Sequence, residues 1–143
     1  MVQEGRAAIG ENWDLMRTRK ANAAVKAGRL AKAQQFADAA RDVLALADEA
    51  EDVADAFVTL AVHAGIAASD VICSARLGEY SRSEHHSDAI ELLKKADETV
   101  VRHLRALLRI KTAAGYSHTP VSTDDRIRAQ RAMDALLNAA LSA

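Results

Sequence analysis

Between positions 102 and 131 the chain carries seven basic residues, Arg102, Arg105, Arg109, Lys111, Arg126, Arg128 and Arg131, against two acids, Asp124 and Asp125. Arg102, Arg105 and Arg109 are three and four residues apart, which places their guanidinium groups on one face of a helix. A guanidinium presents a planar, two-pronged donor to a phosphate. A face of that kind suits phosphate contacts, with Lys111 and Arg128 adding to the same basic surface. Tyr116 and His118 follow in what reads as the adjoining loop, where stacking, proton transfer and plain packing are all open to them. Cations also gather at helix C-termini and on solvated faces, so ordinary helix architecture competes with phosphate recognition as the reason for this cluster.

Other reactive side chains are isolated. His85 and His86 stand beside Glu84 and Asp88, but no second His or Cys at helical spacing completes a ligand set, so neither a metal nor a cofactor is expected. Cys73 is the single cysteine; it sits in an apolar run without a neighbouring cation to stabilise a thiolate, which suits a buried structural thiol. Asp70 lies in the same run. A carboxylate there must be paired or face a cleft.

These residues depend on helices to position them. From Leu30 the apolar residues Ala33, Phe36, Ala37, Ala40, Val43, Leu44 and Ala47 recur at intervals of three and four, opposite Lys32, Gln35, Asp38, Arg41 and Asp42. Asp48, Glu49, Glu51 and Asp52 mark a corner and the first turn of a second helix. That helix, about Val53 to Leu77, is apolar on most of its circumference and should be the central one. Gly65 inside it implies a closely crossing neighbour, and Gly78 a left-handed end. Glu79 to His86 reads as a loop. Ser87 then caps a third helix whose stripe of Ala89, Leu93, Ala96, Val100, Leu104, Leu107 and Leu108 continues to about Ala113 before Gly115. Ser122 and Asp125 form a capping box for a last helix built on Ala129, Met133, Leu136 and Ala140.

No stretch alternates as a half-buried strand does, so the expected fold is all-α, an antiparallel bundle of four to five helices. Positions 29–143 form the bundle; positions 1–28, with isolated Trp13 and Met16, form an N-terminal extension that fits a short helix or a loose tail. The chain has 143 residues, a formal net charge of -1 and 3% aromatic residues. Its core must therefore be built from Ala, Leu, Val and Ile. Six basic residues and no acid occur from Arg17 to Lys32, whereas Asp38 to Asp55 holds seven acids. Such runs arise on solvated helix faces more often than as polyanion sites. The weakly charged stretch Ala56 to Ser69 is too short to span a bilayer, and no disulfide is possible within the chain, so the expected setting is cytoplasmic without membrane contact.

The segment Ala64-Gly-Ile-Ala-Ala-Ser-Asp70 through Gly78, then His85 to Leu93, then Lys111-Thr-Ala-Ala-Gly-Tyr116, resembles the HEPN superfamily, and in particular small actinobacterial HEPN-like proteins. The similarity extends over about Val53 to Leu141. It implies a helical bundle, commonly a homodimer, in a superfamily rich in RNA-cutting toxins, defence proteins and partners of nucleotidyltransferases. Catalytic members carry Arg, four to six intervening residues, then His. No His in this chain has an Arg at that upstream distance. Lys111 and His118 stand at the right interval as a substitute pair, but a lysine supplies a point charge in place of the planar fork. The resemblance thus implies a homodimer that binds RNA or another phosphorylated ligand without the standard ribonuclease motif, within a toxin-antitoxin or defence system. Two alternatives stay open: a module engaging a nucleotidyltransferase-like protein or regulator, and an active ribonuclease using Lys111 and His118.

Overall fold

Asn22 starts the first helix. Its Oδ1 accepts a hydrogen bond from the Val25 amide at 2.9 Å, satisfying one of the donors that a helix start leaves open. In the computed structural model, which describes residues 18–82 and 85–143, α1 then runs over Ala23–Leu46. The first helix thus begins within the stretch read as an extension, whereas Trp13 and Met16 lie outside the described residues. A 3-10 turn at Ala50–Val53 makes the acidic corner and leads into α2, Ala54–Leu77. The later helices are α3 (His86–Ala96), α4 (Val101–Tyr116) and α5 (Thr123–Ser142). The result is an all-α bundle.

Helix α2 is the centre of it and packs against each of the other four helices. Phe57, Val58, Ala61, Val71 and Ile72 on α2 are fully buried, and so are Leu104 and Leu107 of α4 and Met133 and Leu136 of α5. By length and composition Ala50–Leu77 would pass for a membrane span, but 72% of that window is buried inside the protein. Its apolar surface is covered by helices. The directions of α1 and α2 follow from two contacts: Arg29 reaches Asp70, and seven residues further along Phe36 stacks on His63 with ring centroids 5.3 Å apart. The two helices therefore run antiparallel. Helix α5 also runs antiparallel to α1, with Lys26 Nζ donating to the Ala143 carbonyl at 3.2 Å and, fifteen residues along α1, Arg41 paired to Asp134 at 2.9 Å.

Gly65 and Gly78 behave as their sequence positions imply. A Cβ at Gly65 would run into Leu107 Cδ1 and stand 3.3 Å from Leu136 Cδ1, so three helices meet where only a hydrogen fits. Gly78 closes α2 at φ 68°, its amide donating to the Ser74 carbonyl, a conformation open to glycine at little cost.

Three local expectations are corrected. Thr18–Lys20 (β1) pairs antiparallel with Glu79–Ser81 (β2), in the register Thr18 opposite Ser81. Strands of three residues are too short to show an alternating pattern, which is why Glu79 onward reads as loop. Helix α3 begins after His85, with no side-chain cap, so Ser87 lies inside its first turn. Finally, the expected single helix from Ser87 to Ala113 is two helices separated at Asp97. The Asp97 amide donates to Leu93 O at 2.7 Å, ending α3. Its Oδ1 then accepts from the Thr99 amide at 3.0 Å and the Thr99 hydroxyl at 2.6 Å. Short polar side chains compete in this way for backbone donors and break helices. The apolar stripe passes through the intervening 3-10 turn, Glu98–Val100, without losing its spacing.

Candidate nucleic-acid interface

The break at Asp97 changes the meaning of the arginines. In a helix running from Ser87 to Ala113, Arg102, Arg105 and Arg109 would occupy the C-terminal half, where the helix field attracts cations. In the structure Arg102 is the second residue of α4, Arg105 follows one turn later, and no basic residue occupies the last turn. The helix end does not account for them.

All three are exposed, and among the described residues none is in an ion pair. Elsewhere on the surface Arg41 is held by Asp38 and Asp134, and Arg128 by Asp125 at 3.5 Å. Arg128 is thus partly neutralised. Arg102 and Arg105 line a groove at the α3–α4 corner together with Lys94, Glu98, Thr99 and Val101. Lys94 comes from the last turn of α3 and was not among the sequence candidates; only the corner at Asp97 brings it to α4. Glu98 is the one acid lining the groove. His103, half-buried beside Arg102, is held below the ordinary histidine range, by burial first and by the Arg102 charge second.

Tyr116 is not a loop residue. Gly115 does not stop α4, which continues through Tyr116 before Ser117 caps it, because Gly115 does not adopt the left-handed conformation with which Gly78 ends α2. Lys111 lies half-buried on a different face of α4, and His118 is exposed in the loop that follows. No hydrogen bond joins the two among the described residues. The loop itself is anchored by the Val121 amide, which donates to Asp55 Oδ1 at 2.9 Å, and α5 starts from Ser122, whose hydroxyl accepts from the Asp125 amide at 3.1 Å.

A second polar cluster lies inside the bundle. Asp70, 8% exposed, accepts from Arg29 Nε at 2.9 Å and Nη2 at 2.6 Å, both at Oδ2. Burial lifts its carboxyl from 3.8 to about 6, against the pull of Arg29. Cys73, one helical turn on, is pushed up to about 12 by burial, then by the charges of Asp70 and Glu79. A buried thiol held protonated in this way fits a structural role. Asp70, Cys73 and Ser81 share a small cavity closed by Ile66, Ser69, Ala89 and Leu104. The Ser81 hydroxyl in it is buried without a hydrogen-bond partner among the described residues. Arg29 and Lys26, from the basic N-terminal run, are thereby occupied in holding α1 to its neighbours. Arg17 and Glu84 lie outside the described residues, whereas His85 and His86 are exposed at the start of α3.

Compared with models of known protein families and with curated proteins, the sequence matches none.

Proposed function

We propose that the protein is a cytoplasmic, HEPN-like homodimeric bundle that binds RNA or another phosphorylated ligand through the exposed face of α4, without cutting it. One observation carries this reading. Arg102, Arg105 and Arg109 project from one helix face, free of carboxylate partners among the described residues, between the first turn and the middle of α4, where the helix field gives cations no advantage. Three unneutralised guanidinium groups in a row are a phosphate surface in charge and in spacing. The all-α bundle is of the kind that the HEPN resemblance implies, and a link to a toxin-antitoxin or defence system rests on that resemblance alone. The non-catalytic role rests on the missing Arg and His motif and on the lack of any hydrogen bond between Lys111 and His118 among the described residues.

Retention on RNA should fall steeply with salt, because each phosphate neutralised releases counterions. Replacing Arg105 and Arg109 together by Glu should reduce binding by more than about tenfold while leaving stability within about 1 kcal/mol, since exposed charges contribute little to folding. Lys111→Ala and His118→Ala should leave RNA intact as in the wild type. An absence of salt-dependent binding sinks the reading; cleavage by the wild type that either substitution abolishes would restore the ribonuclease alternative. A nucleotidyltransferase-like partner becomes the better account if such a protein binds through the same arginines and RNA does not.

A further inference from the structure

The exposed positions of α4 extend past the arginines. Arg102, Arg105, Arg109, Thr112 and Tyr116 follow one another at intervals of three and four and are all exposed, so they form one continuous stripe. It is roughly 21 Å long at 1.5 Å per residue. Tyr116 closes it with a ring that is 84% exposed. An aromatic side chain of this size ordinarily covers apolar surface; this one is left almost wholly to solvent.

The helix orders the stripe chemically. Its N-terminal half carries Arg102 and Arg105, with Lys94 beside them in the groove. Its C-terminal end carries the partial negative charge of the last carbonyls, which repels phosphate but not a neutral ring. Phosphates suit one end and a base suits the other. A duplex hides its base faces within the stack and offers a helix only phosphates and groove edges, whereas a single strand leaves bases free to lie on aromatic rings.

We propose that the α4 stripe is a reader of single-stranded nucleic acid, in which Arg102, Arg105 and Arg109 hold successive phosphates and Tyr116 stacks one unpaired base. This deepens the phosphate-binding reading above and rests on it. The stripe accommodates at most roughly six nucleotides at the 3.4 Å spacing of a stacked strand, and fewer if the strand is stretched. Because every base has a π face, sequence preference should be weak.

The test uses the full chain and three probes: a single-stranded eight-nucleotide RNA, an RNA duplex of the same length, and inorganic polyphosphate. Tyr116→Ala should weaken binding of the single strand by about 5- to 150-fold, the range expected for losing one stacked base. Binding of the duplex and of polyphosphate should stay within twofold of wild type, and Tyr116→Trp should restore the single-strand affinity. Circular dichroism matching wild type confirms that the exposed ring is not needed for folding. The proposal is overturned if Tyr116→Ala binds the single strand as the wild type does, or if it weakens all three probes equally. Wild-type protein that binds none of them overturns the phosphate reading as well; wild-type binding to all three that is lost with Arg105 and Arg109 but indifferent to Tyr116 overturns only the stacking.

Discussion

A carboxylate inside an alanine-rich bundle is costly, and Asp70 shows how that cost is managed. Two of the three guanidinium nitrogens of Arg29 converge on a single oxygen, yet burial pushes the carboxyl up to about 6 because desolvation outweighs the ion pair. The native state therefore holds this proton more tightly than the unfolded chain, whose value is 3.8. The associated stability is fully present below about pH 4 and is lost as pH rises through about 6. Asp70→Asn cannot ionise, so the stability difference between variant and wild type should shift in the variant's favour by up to about 3 kcal/mol over that window. Urea denaturation at about pH 4 and about pH 7 measures it; parallel curves at both would show that Asp70 does not titrate abnormally. A carboxylate whose burial cost exceeds what its ion pair returns near neutrality is a reason to look for a role beyond folding. The Asp70 carboxylate was legible in the sequence as an anomaly. Its partner was not, since nothing local to Arg29 announces an ion pair spanning 41 residues.

Among the elements, α2, α4 and α5 cross closely at Gly65. Alanine would gain about 1 kcal/mol of helix propensity there, but its methyl group would press on Leu107 and Leu136, both fully buried. Overpacking of that kind costs about 1–3 kcal/mol. Gly65→Ala should therefore lower stability by about 1 kcal/mol and the melting temperature by a few degrees. A stabilised variant would mean that α4 and α5 can move apart. The corner at Asp97 carries a different lesson. The apolar stripe gave a true account of which residues face the core, and a false account of how many helices bear them, because a 3-10 turn preserves the spacing while changing the backbone. What distinguishes the two is a pair of hydrogen bonds from Thr99 to Asp97. Asp97-Glu98-Thr99 is a stop and restart signal whose strength depends on whether the chain can turn there without exposing Val100 and Leu104.

For the molecule as a whole, the homodimer remains the expectation that most affects any composite site. It is motivated by the HEPN resemblance, and Leu46 and Leu141 are large apolar side chains that the single chain leaves more than half exposed. Sedimentation at micromolar concentration should give twice the chain mass of 15.3 kDa; a monomer would confine phosphate binding to one α4 stripe per particle.

Amphipathic periodicity, the capping residues Gly78 and Ser122, and the near-absence of proline were enough to define an all-α bundle around α2, because burial of an apolar face is a property of spacing along one helix. The arginine spacing on α4 was legible for the same reason. Tertiary structure decided what spacing does not encode: the pairing of β1 with β2, the Arg29 partner of Asp70, the arrival of Lys94 beside Arg102, and the place of Tyr116 on the arginine stripe. Each of these depends on which chain segments meet or, at the Asp97 corner, on a local helix break that apolar spacing does not record, and packing energies shared over the whole core decide which of such arrangements the chain adopts.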